Sequence, residues 1–472
     1  MKFKSLDIHE KQCAEIKEAL LKQKNVFLIG KKNSPHTHLT RNKNYKDNQK
    51  LIDTSPFKSI LEIDPIKKTA LVEPGVTMQQ LLKACLSFKL MPLVTPEFKN
   101  ITVGGAIMGA ALESSSHEWG QFNNTCKSYK ILLGSGEIIK ASNEENIDLF
   151  HAISSSYGTL GILLLVEIEL QTAPDFIEVT FQELKDKNLF FENFNQILTN
   201  QDRPSFLEAI LYSPHHCLII QGEKRSKAEL TKSTKITKVY PWDKWFYKKI
   251  IERKSLNPLA LSVEDYIFRF DRGAFWMGHY LSSFKWLISY IFNRNKFESQ
   301  TQAFKSSPFF DRLISFFIGP FLSASNLYKK LHNLSERWFR NTFVVQDLYV
   351  PIEKLRIFLT QIENNYPIYP LWLCPVKVTK EEELLSPHFV KNCDFVVDVG
   401  IYGLANSNIT PIEATKFLED KLKENGGRKM FYTHSYYNQE DLKNIYDLEK
   451  FSFIRKKYHA ESVFIDFPRK VL

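Results

Sequence analysis

Three of the chain's 18 glycines, Gly104, Gly105 and Gly109, fall within six residues, and Glu113-Ser-Ser-Ser-His117 follows them. Glycines at this density let main-chain N–H groups approach a ligand with no Cβ in the way. Successive exposed N–H groups form a concavity that suits an anion, phosphate above all. The segment lacks both the Gly-Lys-Ser/Thr ending of a Walker loop and the spacing of a GxGxxG fingerprint. A second small-residue loop is Ser154-Ser-Ser-Tyr-Gly-Thr-Leu-Gly161. A third dense segment, Asp265 to Gly278, contains Arg269 and Arg272 beside Asp265 and Asp271. Those arginines could hold a cofactor phosphate or pair with the two acids. Phe270, Phe275 and Trp276 could line a flat apolar pocket or fill a core. Six cysteines lie far apart at 13, 85, 126, 217, 374 and 393, with no CxxC pair. Zinc and thioredoxin chemistry lose their usual signature, and no metal site is expected. Buried free thiols in a reducing compartment fit the spread.

These groups need a scaffold, and 472 residues imply two or three domains. Hydrophobic residues at 43% and charged residues at 25% are ordinary for a soluble globular protein. The net charge of +10 is compatible with nucleic acid or an anionic membrane surface as partner, but a Lys-rich soluble surface is the favoured reading and no nucleic-acid partner is expected. The first residues carry no apolar signal-peptide core, and no run of about 18 apolar residues exists, so a cytoplasmic protein without a spanning helix is expected. Apolar spacing predicts helices over 7–23, 76–90, 352–363 and 411–424, with a short one near 148–153. Strands are predicted at 25–30, 61–64, 69–73 and 162–170, and in the runs beginning at Asp347, Leu371 and Phe395. A hairpin over 129–139 would turn at Gly134-Ser-Gly136. No βαβ repeat is visible, so the fold class is α+β rather than doubly wound. Two aromatic stretches, 280–292 and 309–322, have basic flanks and are too short to span a bilayer. They read either as interfacial helices lying on a membrane or as a helical cap on the core.

In this order the sequence resembles the FAD-binding domain of the vanillyl-alcohol-oxidase superfamily, a PCMH-type domain. The matching words are Val72-Glu-Pro-Gly-Val-Thr-Met78, Pro92-Leu-Val-Thr-Pro-Glu97, Thr102-Val-Gly-Gly-Ala-Ile-Met-Gly109, Leu133-Gly-Ser-Gly-Glu137 and Tyr157-Gly-Thr-Leu-Gly-Ile162. Within that superfamily it resembles the Δ24-sterol reductase (seladin/Diminuto) group. Glu113-Ser-Ser-Ser-His117, Glu145-Asn-Ile-Asp-Leu-Phe150, Val345-Gln-Asp347, Tyr369-Pro-Leu-Trp-Leu-Cys-Pro375, Asp398-Val-Gly-Ile-Tyr-Gly403 and Ser435-Tyr-Tyr-Asn438 carry this narrower likeness. Two departures stand out. Eukaryotic members carry an N-terminal hydrophobic helix that the first residues here lack. The loop Gly30-Lys-Lys-Asn-Ser-Pro-His-Thr-His38 is not the usual Arg-Gly-Gly-Gly-His form.

The resemblance implies an FAD domain of two small α+β subdomains over 1–175, an α+β substrate or cap domain over 176–430, and a tail, 431–472, that packs back near the flavin. It implies FAD contacts from Gly30, Thr102, Val103, Gly104, Gly105, Ile107, Gly109, Glu113, Ser114, Ser115, Ser116, His117, Gly120, Gly158, Thr159, Gly161 and Ile162. The serines could instead cap a turn, and Glu113 could form an ion pair. FAD is expected to be non-covalent, with His36, His38 and Cys126 the residues to watch for a covalent bond. The implied reaction is NADPH-dependent reduction of a carbon–carbon double bond in the tail of a sterol-like or isoprenoid lipid, by hydride transfer through flavin N5. The receiving alkene is unpolarised, so a general acid must supply a proton to its second carbon. Tyr437 ranks first for that role, then Tyr436, with Tyr402 and His434 as rivals. His117 could tune the flavin, act as an acid or be structural. A lipid substrate also favours peripheral membrane contact. An FAD-dependent alcohol oxidase or dehydrogenase, or a non-catalytic lipid-binding scaffold, are the other readings of the same sequence.

Overall fold

The computed structural model describes residues 3–22, 27–30, 50–240, 242–253, 257–278, 323–324, 326, 341–379, 382–404 and 409–472. The expected sites His36 and His38, and the aromatic stretches 280–292 and 309–322, lie outside these residues.

Helix α1 (Leu6–Leu21) buries His9, Cys13, Ile16 and Leu20, a stripe at three- and four-residue spacing. Strand β1 (Phe27–Gly30), with Gly30 at its end, runs parallel to β2 (Lys50–Asp53). Next come β3 (Ile60–Asp64), β4 (Thr69–Val72), α2 (Met78–Leu86) and β5 (Leu90–Pro92). They are followed by α3 (Val103–Met108), α4 (Ser116–Trp119), β6 (Cys126–Leu132), β7 (Ile138–Ser142), α5 (Ile147–Ala152) and β8 (Ile162–Thr172). These strands form an antiparallel sheet in the order β3-β4-β8-β6-β7, with β5 also on β8. The apolar start of β8 is buried, as a central strand covered on both faces requires. Helix α2 stops short of the expected Leu90. Lys89 takes a left-handed φ of 56°, which turns the backbone into β5.

The second sheet starts at β9 (Phe176–Leu184) and continues through α6 (Lys187–Thr199), β10 (Phe206–Ser213), β11 (His216–Arg225) and β12 (Lys235–Ile236). After α7 (Phe246–Ile251), β13 (Leu259–Leu261) and α8 (Val263–Ile267) it resumes with β14 (Phe343–Pro351), α9 (Ile352–Asn365), β15 (Leu371–Lys377), β16 (Phe395–Leu404), α10 (Pro411–Glu424) and β17 (Arg428–Lys429). Nine strands stand in the order β12-β13-β9-β11-β10-β15-β16-β14-β17. Together the two sheets make an α+β protein.

Strand alternation gives this sheet two different faces. Leu207, Ala209, Leu371, Leu373, Val397, Val399, Leu348 and Val350 pack with Phe190 and Phe194 of α6, Phe358 of α9 and Leu418 of α10. The opposite face joins the core of the first domain through Phe206, Ile210, Tyr349, Trp372, Cys374 and Tyr402. Glu208, Asp347 and Asp398 alternate onto that same inner face and are buried.

Helices α11 (Gln439–Ile445), α12 (Leu448–Lys457) and α13 (Phe467–Val471) bring the tail back onto the first domain. Lys457 Nζ and Tyr458 OH both donate to Asp148, each at 2.7 Å. Among the described residues no helix is long and apolar enough to cross a membrane, and no cluster of His, Cys, Asp and Glu is arranged to hold a metal ion.

Candidate active site

The first glycine segment is not the open loop that its composition predicts. Residues Val103–Met108 form α3, and the Thr102 hydroxyl caps it by accepting from Gly105 N at 3.2 Å. Val103 N and Gly104 N donate to Val76 O and Pro74 O, each at 2.8 Å. Thr102, Val103 and Gly104 are therefore held by the protein itself and do not form an N–H cradle. Gly104 is small for packing, because a Cβ there would lie 2.8 Å from Pro74 Cβ. Gly105 differs. It is exposed, and a Cβ on it would meet only the Thr102 hydroxyl within 4 Å, at 3.1 Å. Ile107 is a core residue, and Gly109 closes the helix by donating to Gly105 O at 2.9 Å.

The serine triplet that follows is likewise engaged. Ser114 Oγ donates to Glu113 Oε1 at 2.5 Å and accepts from Arg269 Nη2 at 3.1 Å. Ser115 Oγ donates to Leu93 O at 2.9 Å, and Ser116 Oγ accepts from Glu113 N at 3.0 Å. All three are buried. The expected phosphate or ribose contacts give way to a turn locked around a buried carboxylate. Gly120, with φ 79°, ends α4 where a Cβ would strike Asn124 Oδ1 at 2.6 Å.

Glu113 belongs to a charged cluster between the two sheets. Arg269 donates to Glu208 Oε1 from Nε at 3.0 Å and to Glu113 Oε1 from Nη1 at 3.3 Å. Its expected pairing with Asp265 or Asp271 is corrected. Those acids instead accept from Ser262 Oγ and from Lys99 N. Arg272 donates to the main-chain oxygens of Tyr240 and Asp243, with its Nε left without a partner among the described residues. Trp372 Nε1 donates to the other oxygen of Glu208 at 2.8 Å. Glu97 is buried nearby with Oε1 lacking any partner among the described residues, and burial together with Glu113 holds its carboxyl well above the usual range. One guanidinium among three buried carboxyls leaves the protonated form to Glu97.

His117 is buried and held at both ring nitrogens by the main chain. Its Nδ1 faces Ser114 O at 2.9 Å and its Nε2 faces Pro204 O at 2.7 Å, and burial lowers its pKa to about 4. It ties α4 to the start of β10. Cys126 is buried, its thiol raised by burial to about 12 and donating to Phe122 O at 3.6 Å, which suits an inert thiol rather than a covalent flavin link.

The second serine run supplies what the first does not. Ser155 and Ser156 are buried with hydroxyls that have no partner among the described residues, as is Thr95. Ser155 N and Tyr157 N donate to Ile107 O and Met108 O at 3.4 and 3.2 Å, so this loop lies against the end of α3. Ser155 and Tyr157 adopt left-handed φ values of 57° and 52°, the kind of strain that persists where a site requires it. Buried hydroxyl donors in a loop against the end of α3 fit the pyrophosphate of a dinucleotide. Of the residues expected here, Gly158 supplies a left-handed turn and Thr159 Oγ1 donates to Ser156 O at 2.8 Å. Gly161 makes room for Ile131, whose Cγ2 would lie 2.7 Å from a Cβ, and Ile162 is core.

Glu383, between β15 and β16, reaches the segment just before β6. It accepts from Asn123 Nδ2 at 3.0 Å and from Asn124 Nδ2 at 2.5 Å, and burial raises its carboxyl to about 7. His388, 4.0 Å away, stays neutral because burial lowers it to about 3. A carboxyl raised on folding binds an extra proton in the native state. Its stabilisation is full at low pH and is lost as pH rises through the folded value. The stability of the wild type relative to Glu383→Gln is expected to fall by about 3 kcal/mol between pH 5 and pH 8. Denaturant melts at the two pH values measure it, and a constant difference would refute it.

The inner face of the second sheet carries the remaining chemistry. Tyr402 OH donates to Asp347 Oδ1 at 2.5 Å, and Tyr432 OH donates to Asp347 Oδ2. The Tyr402 ring stacks on Phe275 with centroids 4.8 Å apart, and Phe275 lies 5.0 Å from Trp372. These rings form a buried apolar cluster, with Trp276 beside Tyr402 at 5.7 Å. Tyr437, ranked first from the sequence, sits elsewhere. Its buried ring lies beside Phe431, Lys423 and Lys429, and its hydroxyl has no partner among the described residues. Tyr436 N donates to Glu419, and its ring lies under Lys416. Both tyrosines flank α10, whereas Tyr402 reaches the seam between the sheets. Sequence reasoning misses Tyr432. Its signal is only its proximity to the Ser435-Tyr-Tyr-Asn438 word.

Residues 9–142 match the family described as FAD binding domain. The protein is 28% identical to human Delta(24)-sterol reductase, over 87% of its own length and 76% of that relative's. It is 29% identical to the Delta(24)-sterol reductase of Pisum sativum, over 90% and 77%. A shorter match, 33% identical over 121 residues, is to Decaprenylphosphoryl-beta-D-ribose oxidase of Mycolicibacterium smegmatis and takes in 25% of this protein and 26% of that one. Fold and match together define a protein with an FAD-binding domain. More narrowly, it is similar along most of its length to the Δ24-sterol reductase group.

Proposed function

We propose that the protein is an FAD-dependent reductase that saturates a carbon–carbon double bond in the tail of a sterol-like or isoprenoid lipid, with NADPH as electron donor. The observation that carries this reading is the seam between the sheets. There a buried apolar wall of Phe275, Trp372 and Tyr402 meets buried protonatable oxygens on Asp347 and Asp398. An apolar alkene needs such a wall to be held, and it needs a proton donor that water does not reach. FAD, when bound, supplies two-electron hydride chemistry at N5. The protein's part is to hold the pyrophosphate on Ser155 and Ser156, to exclude water, and to present a proton. Tyr402, rather than Tyr437, fits that last role, because its hydroxyl and the aromatic wall occupy one place. Non-covalent FAD and peripheral contact with lipid belong to the same proposal.

The purified protein is expected to show a flavin absorbance spectrum that bleaches on anaerobic mixing with NADPH. A Δ24 sterol should then restore the colour and gain two mass units, one alkene being reduced to CH–CH (roughly the mass of two hydrogens, with the flavin as carrier). The match to an oxidase over the FAD domain keeps a second reading in view: an alcohol oxidase or dehydrogenase. Flavin that ignores NADPH and bleaches with an alcohol would establish that reading instead.

A further inference from the structure

We propose that Asp347 and Asp398 share a single proton and, through Tyr402, deliver a proton to the substrate carbon. This rests on the reading that the protein reduces an alkene.

The pair is built by strand register. In the antiparallel β14–β16 ladder Tyr349 stands opposite Asp398 and Asp347 opposite Gly400. Asp347 and Asp398 are thus diagonal neighbours on the inner face. Both are buried, at 5% and 0% exposure. Asp347 has its two tyrosine donors, but neither oxygen of Asp398 accepts from any side-chain donor among the described residues. Its carboxyl instead lies diagonally across the ladder from that of Asp347, with the Leu348 main chain also acting on it. Two buried carboxylates side by side on one sheet face offer only acceptors to each other, and one proton between them satisfies both.

The cation that acts on Asp347 is engaged elsewhere. Lys429 is the nearest positive charge to Asp347, but its Nζ donates to Gln346 Oε1 at 2.6 Å, Glu419 Oε1 at 2.7 Å and His434 O at 2.7 Å. The other titratable groups that act on the pair are Glu97, Tyr349, Cys374, Tyr402 and Tyr432, none of which is a cation. Burial raises both aspartates, Asp398 the further because Asp347 adds to it.

Tyr402 connects the pair to the aromatic wall. Its hydroxyl folds back over Gly400, where a Cβ would lie 2.6 Å from it. A hydroxyl placed between a proton reservoir and an apolar wall is a relay. As hydride brings two electrons to one alkene carbon, the π pair on the other takes the Tyr402 proton. The O–H bond breaks and a C–H bond forms. The shared proton then moves to Tyr402, and one proton from solvent restores the pair. The balance is NADPH, one proton and the alkene giving NADP⁺ and the saturated product.

Infrared difference spectroscopy of the protein without substrate at neutral pH reads the proton directly. Beside the bands of Glu97 and Glu383, the wild type is expected to show a further protonated-carboxyl C=O band that shifts in D₂O and is lost in both Asp347→Asn and Asp398→Asn. In the flavin-loaded protein, Asp398→Asn and Tyr402→Phe are expected to slow the alkene half-reaction by about 100-fold or more while NADPH still reduces the flavin at the wild-type rate. Tyr402→Phe keeps the shape of the site, so it decides the matter if the aspartate variants misfold. A wild type without the band, or a Tyr402→Phe enzyme that reduces the alkene at the full rate, would overturn the proposal. A wild type that shows the band but reduces no alkene would overturn the functional reading and the delivery role with it, while the band itself marks that failure as distinct from the absence of a shared proton.

Discussion

Replacing Arg269 with alanine is expected to cost about 3–5 kcal/mol of folding stability, the largest loss of any single truncation at the seam. The guanidinium is fully buried and touches Glu113, Glu208, Ser114 Oγ and Tyr266 O. Its charge also lies 4.1 Å from the centre of the Tyr266 ring. Burial alone would lower its pKa, but Glu208, Tyr266 and Glu113 raise it above its ordinary value. Without it, Glu113 and Glu208 become a buried pair of like charges, one of which must take up a proton. Adding Glu208→Gln should recover a substantial part of the loss, because it removes the uncompensated charge rather than restoring a contact. Denaturant melts of the single and double variants measure this, and a single-variant loss below about 1 kcal/mol would refute the arrangement.

The pH dependence of that variant follows from the same cluster. Burial already raises the Glu208 carboxyl, while Arg269 and Trp372 draw it down. Removing Arg269 leaves burial opposed only in part. A carboxyl raised on folding favours the native state at low pH, so the deficit of Arg269→Ala should shrink as the solution is acidified. A surface ion pair would show no such trend at this magnitude.

Local elements are legible in the sequence because local chemistry builds them. The helix read at 411–424 is α10, with Pro411 at its first turn and a reciprocal capping box between Thr410 and Glu413. The hairpin turn at Gly134-Ser-Gly136 needs its last glycine at φ 85°. The first glycine segment reads as a loop because glycine is a poor helix former. Hydrogen bonds from Val103 and Gly104 to Val76 and Pro74, some 30 residues earlier, overrule that preference. The fate of Ser114 to Ser116 is hidden for a similar reason. It depends on Arg269 and Glu208, which no local spacing connects to Glu113. Asp347 and Asp398 are visible as acids inside strand-like apolar runs, which is itself a warning of function. Their pairing belongs to the β14–β16 register and to no local pattern.

The loop that carries Ser155 and Ser156 is held from behind, and this yields the second large expected effect. Arg455 on α12 is buried and donates to four main-chain oxygens, those of Thr159, Ala460, Phe464 and Ile465. Lys470 donates to Tyr157 O, and Tyr157 OH accepts from Phe431 N at 2.8 Å. The tail therefore grips the carbonyl side of the loop whose serine hydroxyls have no partner among the described residues. Arg455→Met keeps the apolar stem and removes every donor. Each carbonyl then stays buried without the charged hydrogen bond it had, and a loss of about 2–4 kcal/mol is expected, concentrated in the tail and the loop. Two results should appear together: faster limited proteolysis within 456–472, and weaker retention of FAD on gel filtration, which removal of a merely distant tail would not cause. If the variant releases its tail to protease yet holds FAD as tightly as the wild type, then the 154–159 loop is not part of the pyrophosphate site.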